Sequence, residues 1–225
     1  MAEETMRERM LRKQRQIADA RGKYWKPKEG ENYVRICPSW KGPNADFHFE
    51  TPTHYGLGPN RRTLPCLAQW SEVCPADRRA EQLASSTNVE DQKRASQLMP
   101  KVRVIMNVLP NNDPDGTIKL WSITPDVFGD FLSYYTNTGW GDFTHPKTGY
   151  NFTFTLKDKG KKLPDGRPYL EPDIIPDKES TRFGKPVKSW DDLLKLLFNI
   201  ELEIAKNKVS REDFIKVMRG EEIER

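Results

Sequence analysis

The sequence predicts a mainly β fold with added helices, built on a small barrel-like core. Three observations predict it. Residues 101–109, 117–123 and 149–157 alternate apolar and polar side chains with the period of two that half-buried strands require. Residues 38–80 are rich in Pro, Gly and Asn and read as an irregular insertion that needs something to hold it. Charged segments with helix-capping residues stand towards both ends.

Taken in order, "EETMRERMLRKQRQIADAR" (3–21) reads as a charged helix whose Met6, Met10 and Ile17 are too sparse to bury a face, and Gly22 ends it. A strand follows at 32–37, with Val34 and Ile36 alternating with Tyr33, Arg35 and Cys37. The insertion carries at most short strands at 47–49 and 53–55, and 76–98 is helix-permissive with a break at "SSTN". "KVRVIMNVL" and "TIKLWSI" flank "PNNDPDG", a hairpin loop by composition. Pro125 opens a helix, "PDVFGDFLSYYTN". "GYNFTFTLK" alternates strictly, and the basic loop "DKGKKLPDGRP" leads into "YLEPDII". Ser189 caps "SWDDLLKLLFNIELEIAK", and Ser210 caps the shorter "SREDFIKVMRG". Five or so short strands with an insertion and terminal helices best fit an OB-like barrel.

Composition limits the function classes. Apolar residues make up 36% and charged residues 31%, so much of the chain is solvated surface. The net charge is only +4, but residues 1–28 hold nine Lys/Arg against four Asp/Glu, and residues 189–225 hold seven against nine. A basic start and an acidic end suit a protein that binds polyanions and regulates itself. No stretch has signal-peptide or membrane-spanning character, and three cysteines do not make a disulfide framework; a soluble cytoplasmic protein is expected.

One motif carries metal chemistry. Eleven residues separate His54 from Cys66, seven separate Cys66 from Cys74, and Asp77 follows after two more. Zinc takes four tetrahedral ligands from Cys, His and less often Asp. "CPAD" has the form of a zinc-ribbon knuckle whose last cysteine is an aspartate, and Cys37 and His48 are competing candidates for the fourth position. Equally, Cys66 and Cys74 read as small buried hydrophobes and His54 as a satisfied polar residue.

The strands offer a second constellation. Alternation turns Val102, Val104, Met106 and Val108 to one face of their strand, and Lys101, Arg103, Ile105 and Asn107 to the other. Lys119 and Trp121 match the outer face, while Phe152, Phe154 and Leu156 turn inward and Lys157 outward. Lys159, Lys161, Lys162 and Arg167 follow in the basic loop, with Tyr169 beyond. Cations beside flat rings are what single-stranded nucleic acid needs, each stacked base contributing about 1–3 kcal/mol. The plainer alternative is a solvated sheet face on which Trp121 covers a core edge.

Enzymatic signals are weaker. Glu171, Asp173, Asp177 and Glu179 surround Lys178 in "EPDIIPDKES", but two prolines interrupt them and a solvated loop explains them. His145 sits in the turn "THPKTG", and "GLGP" breaks off at Pro59 without forming a phosphate-cradling loop. A metal-dependent nucleic-acid enzyme and an assembly protein reusing the barrel for protein contacts stand as the alternatives to a binding protein.

In its order of features the chain resembles the single-stranded DNA-binding (helix-destabilising) proteins of tailed phages, of the T-even gene-32 kind, over most of residues 10–200. "YWKPKEGENYVRICPS" is similar to the family's opening turn and strand. "THYGLG", Cys66 and "CPAD" are similar to its zinc-ribbon insertion, and "MPKVRVIMNVLPNNDPDGTIKLWSITPDVFGDFLSYY" to its hairpin and helix. "YNFTFTLKDKGKK" with Tyr169 resembles the next strands, and "VKSWDDLLKLL" the closing helix.

The resemblance implies a non-enzymatic, sequence-independent single-stranded DNA-binding protein acting in phage DNA replication, recombination and repair in the cytoplasm of the bacterial host. It implies a basic N-terminal segment (1–22) for self-association along DNA, an OB-fold core (23–188) with a zinc-ribbon-like insertion at about 38–98, and C-terminal helices (189–225). DNA would run in a basic cleft between barrel and insertion. Zinc would be held by His54, Cys66, Cys74 and Asp77. Arg35, Arg103, Lys119, Lys157, Lys159, Lys161 and Lys162 would contact phosphates, and Tyr55, Trp70, Trp121, Tyr150 and Tyr169 would stack on bases. The sequence departs from the pattern at Asp77, in place of the last cysteine, and at Val102, where the family has aromatics. It carries "RGEEIER" in place of a long acidic tail, so recruitment of replication or recombination proteins is expected to be weaker or to rest on the helices after 189.

Overall fold

The computed structural model describes residues 22–110, 117–137, 139–162, 166, 168–177, 179 and 190–223. The charged N-terminal helix, the hairpin loop at 111–116 and the Ser189 cap lie outside the described residues.

The fold is mixed α/β. In chain order the elements are β1 (Gly30–Ile36), β2 (His48–Leu57), β3 (Arg62–Pro65), a 3-10 turn (Leu67–Trp70), α1 (Pro75–Ala84), α2 (Val89–Leu98) and β4 (Lys101–Pro110). Then come β5 (Lys119–Ile123), α3 (Pro125–Thr136), β6 (Phe152–Lys162), β7 (Pro168–Pro176), α4 (Trp190–Leu196), α5 (Ile200–Ala205) and α6 (Arg211–Arg219). The strands form an open sheet in the order β3-β2-β4-β1-β6-β7, with β5 paired to β4. β1 pairs antiparallel with β6 along Gly30–Val34 and with β4 along Val34–Ile36.

Local chemistry sets most of these bounds. Pro75 occupies the first turn of α1, where its missing N–H costs nothing. The break at "SSTN" holds: Asn88 accepts the Glu90 N–H and starts α2 as a separate helix. The segment read as one helix from 189 to 206 is two, because Asn199 caps a new start by accepting the Leu202 N–H. β2 is one ten-residue strand where two short pieces are expected. β6 runs through the expected basic loop as far as Lys162, pairing Lys162 with Pro168 beyond a register shift.

The chain divides into two compact units. The first comprises Met1–His48, Met106–Ser122 and Asp126–Phe198. Its core is aromatic: Phe131, Phe143 and Phe152 are fully buried, with Phe131 and Phe143 at 4.9 and 5.1 Å from Phe152. Phe152 and Phe154 turn inward as their alternation requires. A second cluster gathers Cys37, Leu109, Ile118, Leu193 and Leu197. In it α4 is tied to β4 by Asn107, whose amide accepts from the Phe198 N–H and donates to its carbonyl, both at 3.0 Å.

The outer faces expected of β1, β4 and β5 are corrected here. Trp121 is 3% exposed, packed against Trp25 at 4.8 Å and Phe154 at 4.9 Å. Arg35 is 1% exposed and donates from Nη2 to the His145 carbonyl. Ile105 and Asn107 are buried alongside Val104 and Met106. Alternation separates inside from outside only where one face meets water, and these positions are covered on both.

The second unit comprises Phe49–Ile105, Ile123–Pro125 and Asn199–Arg225. Its core joins Leu57, Leu64, Cys66, Leu67, Cys74 and Ala76 from the insertion to Val209, Phe214 and Val217 from the C-terminal segment. That segment therefore splits: α4 belongs to the first unit, α5 and α6 to the second.

Candidate metal centre and basic strand residues

The four residues picked out by spacing come together in the second unit. β2 supplies His54, the residue before the 3-10 turn is Cys66, the N-cap of α1 is Cys74, and the first turn of α1 supplies Asp77. Their ligand atoms all lie within 4.8 Å of one another. Cys74 Sγ is 3.3 Å from His54 Nε2, Asp77 Oδ1 is 3.4 Å from the same nitrogen, and Cys66 Sγ is 3.1 Å from Asp77 Oδ2. Tetrahedral bonds of 2.0–2.3 Å place neighbouring ligand atoms roughly 3.3–3.8 Å apart, so the donors stand close to the spacing a bound ion requires.

Three further features fit a cation. His54 is fully buried and donates from Nδ1 to the Leu98 carbonyl at 2.7 Å, which turns Nε2 toward the cluster. Asp77 Oδ1 is buried without a hydrogen-bond partner. Hydrogen bonding from Cys66, and then from His54, pulls the Cys74 thiol far below its ordinary pKa, while the Cys66 thiol is pushed up by that same pairing. Burial alone would lower the His54 pKa, but Cys74, Leu98 and Asp77 together raise it. Two cysteines, a histidine and an aspartate gathered at this spacing, three of them buried, are a donor set that a divalent ion would fit.

Neither competing ligand joins them. Cys37 is buried in the first unit's core, where burial pushes its thiol pKa up. His48 packs against Phe128, with ring centroids 4.4 Å apart and the rings tilted by 42°.

The nucleic-acid candidates fall into two groups. In the second unit Tyr55 is 39% exposed on β2, and Arg103 on β4 is close enough to oppose the rise that burial gives its hydroxyl pKa. Trp70 is half-buried under the Lys208 ammonium, 5.2 Å from the ring centroid. In the first unit Lys157, Lys161 and Lys162 are exposed on β6 and Lys119 is half-buried on β5. Lys157 is paired with Asp173 at 2.6 Å. Lys159 lies on β6 and Tyr169 on β7; Arg167 lies outside the described residues. Arg35, Trp121 and Tyr150 are buried, so none presents a ring face or charge to a passing strand.

Two contributors escaped the sequence. The Leu98 carbonyl is a helix-end acceptor 44 residues from His54, and no local pattern points to it. Phe214 meets the His54 ring edge-on at 5.7 Å and 87°. Phe214, Val217 and Met218 stand three and four apart on a helix that also carries five charged residues, and that stripe was the available sign that α6 has a partner.

Among the described residues no helix is long and apolar enough to cross a membrane. Comparison with protein-family models and with curated proteins finds no match for this chain.

Proposed function

We propose that this chain is a non-enzymatic, sequence-independent single-stranded DNA-binding protein of the tailed-phage, helix-destabilising kind, with zinc at the His54–Cys66–Cys74–Asp77 cluster. The observation that carries it is Tyr55: an aromatic ring left 39% exposed on β2, in the same unit as Arg103 and the metal cluster. A base stacks on Tyr55 and a phosphate meets Arg103.

The strand layout supports an OB-like core. β1 is flanked by β4, with its partner β5, on one side and by β6, with its partner β7, on the other. The metal cluster lies between β1 and β4 in sequence, where an insertion into such a core belongs. Two thiols, an imidazole and a carboxylate favour zinc over the hard cations. Arg103, Lys119, Lys157, Lys161 and Lys162 supply phosphate contacts, and Tyr55 and Trp70 stack. The basic segment 1–22 promotes self-association along DNA, and the C-terminal helices take partner proteins.

The test is titration with oligo-dT at two salt concentrations, followed by tryptophan fluorescence, with bound metal quantified in the same sample. Salt-sensitive quenching with about one zinc per chain is expected. No quenching at low salt would sink the proposal, as would cleavage of labelled single strands on adding magnesium.

A further inference from the structure

The C-terminal segment enters the second unit through contacts that converge on the metal cluster. Phe214 lies edge-on against the imidazole of His54. It is fully buried, in one cluster with Cys66 and Cys74. On either side the backbones fit closely. A Cβ on Gly58 would stand 2.2 Å from the Val217 carbonyl, and one on Gly220 would stand 2.3 Å from Pro59 Cγ. Gly58 and Gly220 both hold positive φ, 64° and 87°, so each is glycine for two reasons at once. Before α6, Lys208 reaches back to pair with Glu72 and to lie over Trp70. Glu72 and Trp70 sit between Cys66 and Cys74 in the chain, so the loop joining two of the cluster's residues is fastened to the C-terminal segment.

From this we infer that Phe214 is a positioning residue of the metal centre and that α6 is its outer wall, so that metal retention and docking of residues 208–220 are coupled. The inference rests on the metal-binding reading above. His54 is held at Nδ1 by Leu98 and is packed perpendicular to the Phe214 ring, and the two contacts together fix the direction of Nε2. Coupling of this kind is reciprocal in free energy: packing that holds His54 in place strengthens metal binding, and withdrawing the ion loosens what is packed on His54 by the same amount. The C-terminal segment is thereby a reporter of metal occupancy.

The full-length protein is loaded with cobalt(II), whose thiolate and ligand-field absorption reports the site, and is then stripped with a chelator. Amide exchange is followed in both forms. Loss of at least tenfold protection across 211–219 on stripping, with β1 and β6 unchanged, is the expected result. Equal protection with and without metal overturns the coupling while leaving the metal centre intact. Failure to take up any cobalt(II) or zinc(II) overturns the metal centre itself, and the two failures are told apart by the absorption spectrum. In a second arm Phe214→Leu, which keeps the core apolar, is expected to release cobalt(II) to the chelator about tenfold faster than wild type. Release at the wild-type rate from a folded Phe214→Leu protein overturns the positioning role. Lys208→Met, which leaves the apolar core untouched, is expected to give a smaller acceleration in the same direction.

Discussion

The imidazole of His54 donates from Nδ1 to the carbonyl of Leu98, and that single bond decides which nitrogen meets Cys74 and Asp77. The donor set it completes differs from a three-cysteine site only at Asp77. A thiolate is a softer donor than a carboxylate and binds zinc more strongly. Asp77→Cys is therefore expected to bind zinc roughly tenfold or more tightly than wild type, and Asp77→Ala more weakly, in competition with a chromophoric chelator. Equal affinities for all three proteins would show that Asp77 is a bystander.

Much of this centre was legible because its four residues lie within one short stretch whose spacing is itself a chemical signal. The strands of β6 were legible for a similar reason: Phe152 and Phe154 alternate with threonines that stay nearer water. Trp121 and Arg35 misled because the same alternation has a different meaning on a strand covered twice. Trp25 and Phe154 close over Trp121, and the loop carrying His145 closes over Arg35. Neither cover is near in sequence to what it covers. The wall made by Phe214 was hidden for the same reason.

Tyr55 and Trp121 are separated by their surroundings, so their replacements act differently. Tyr55→Ala removes an exposed ring and is expected to weaken oligo-dT binding by about 1–3 kcal/mol at every salt concentration, with stability nearly unchanged. Trp121→Ala empties a packed core position and is expected to cost about 3–5 kcal/mol of unfolding free energy. A folded Trp121→Ala protein that lost affinity while Tyr55→Ala kept it would reverse these assignments.

Lys161 and Lys162 are exposed at the end of β6. If both meet phosphates, replacing the pair with alanine lowers the slope of log K against log salt by about 1.4, at ~0.7 per contact on a single strand. The check is a salt titration of the double variant. A slope equal to that of wild type takes this end of the hairpin off the DNA path.

Asp213 links the wall helix to pH. Its hydrogen bond to Lys216, and then that to Ser210, hold its carboxyl below the ordinary pKa of 3.8. A carboxyl whose pKa is depressed on folding contributes stability that is present above its unfolded value. That contribution is lost as pH falls through the folded value. Amide protection of α6 is thus expected to be flat from pH 7 to about 5 and to fall below about 4, with a smaller fall in Asp213→Asn. Identical acid profiles for the two proteins would place the effect on other carboxylates.

Asn107 is a polar side chain in the centre of a covered sheet, and its place there follows from what it holds. Both of its amide atoms are committed to the backbone of Phe198, two residues past the end of α4: Oδ1 accepts its N–H and Nδ2 donates to its carbonyl. Removing the side chain leaves two backbone groups unpaired in a partly buried position, each towards the lower end of the roughly 1–3 kcal/mol that full burial would cost. Asn107→Ala is therefore expected to lower unfolding stability by about 2–4 kcal/mol, measured by urea denaturation. Asn107→Leu fills the volume without satisfying either group and is expected to fare no better. Recovery of stability in Asn107→Leu would mean that packing, not the paired hydrogen bonds, is what the position supplies.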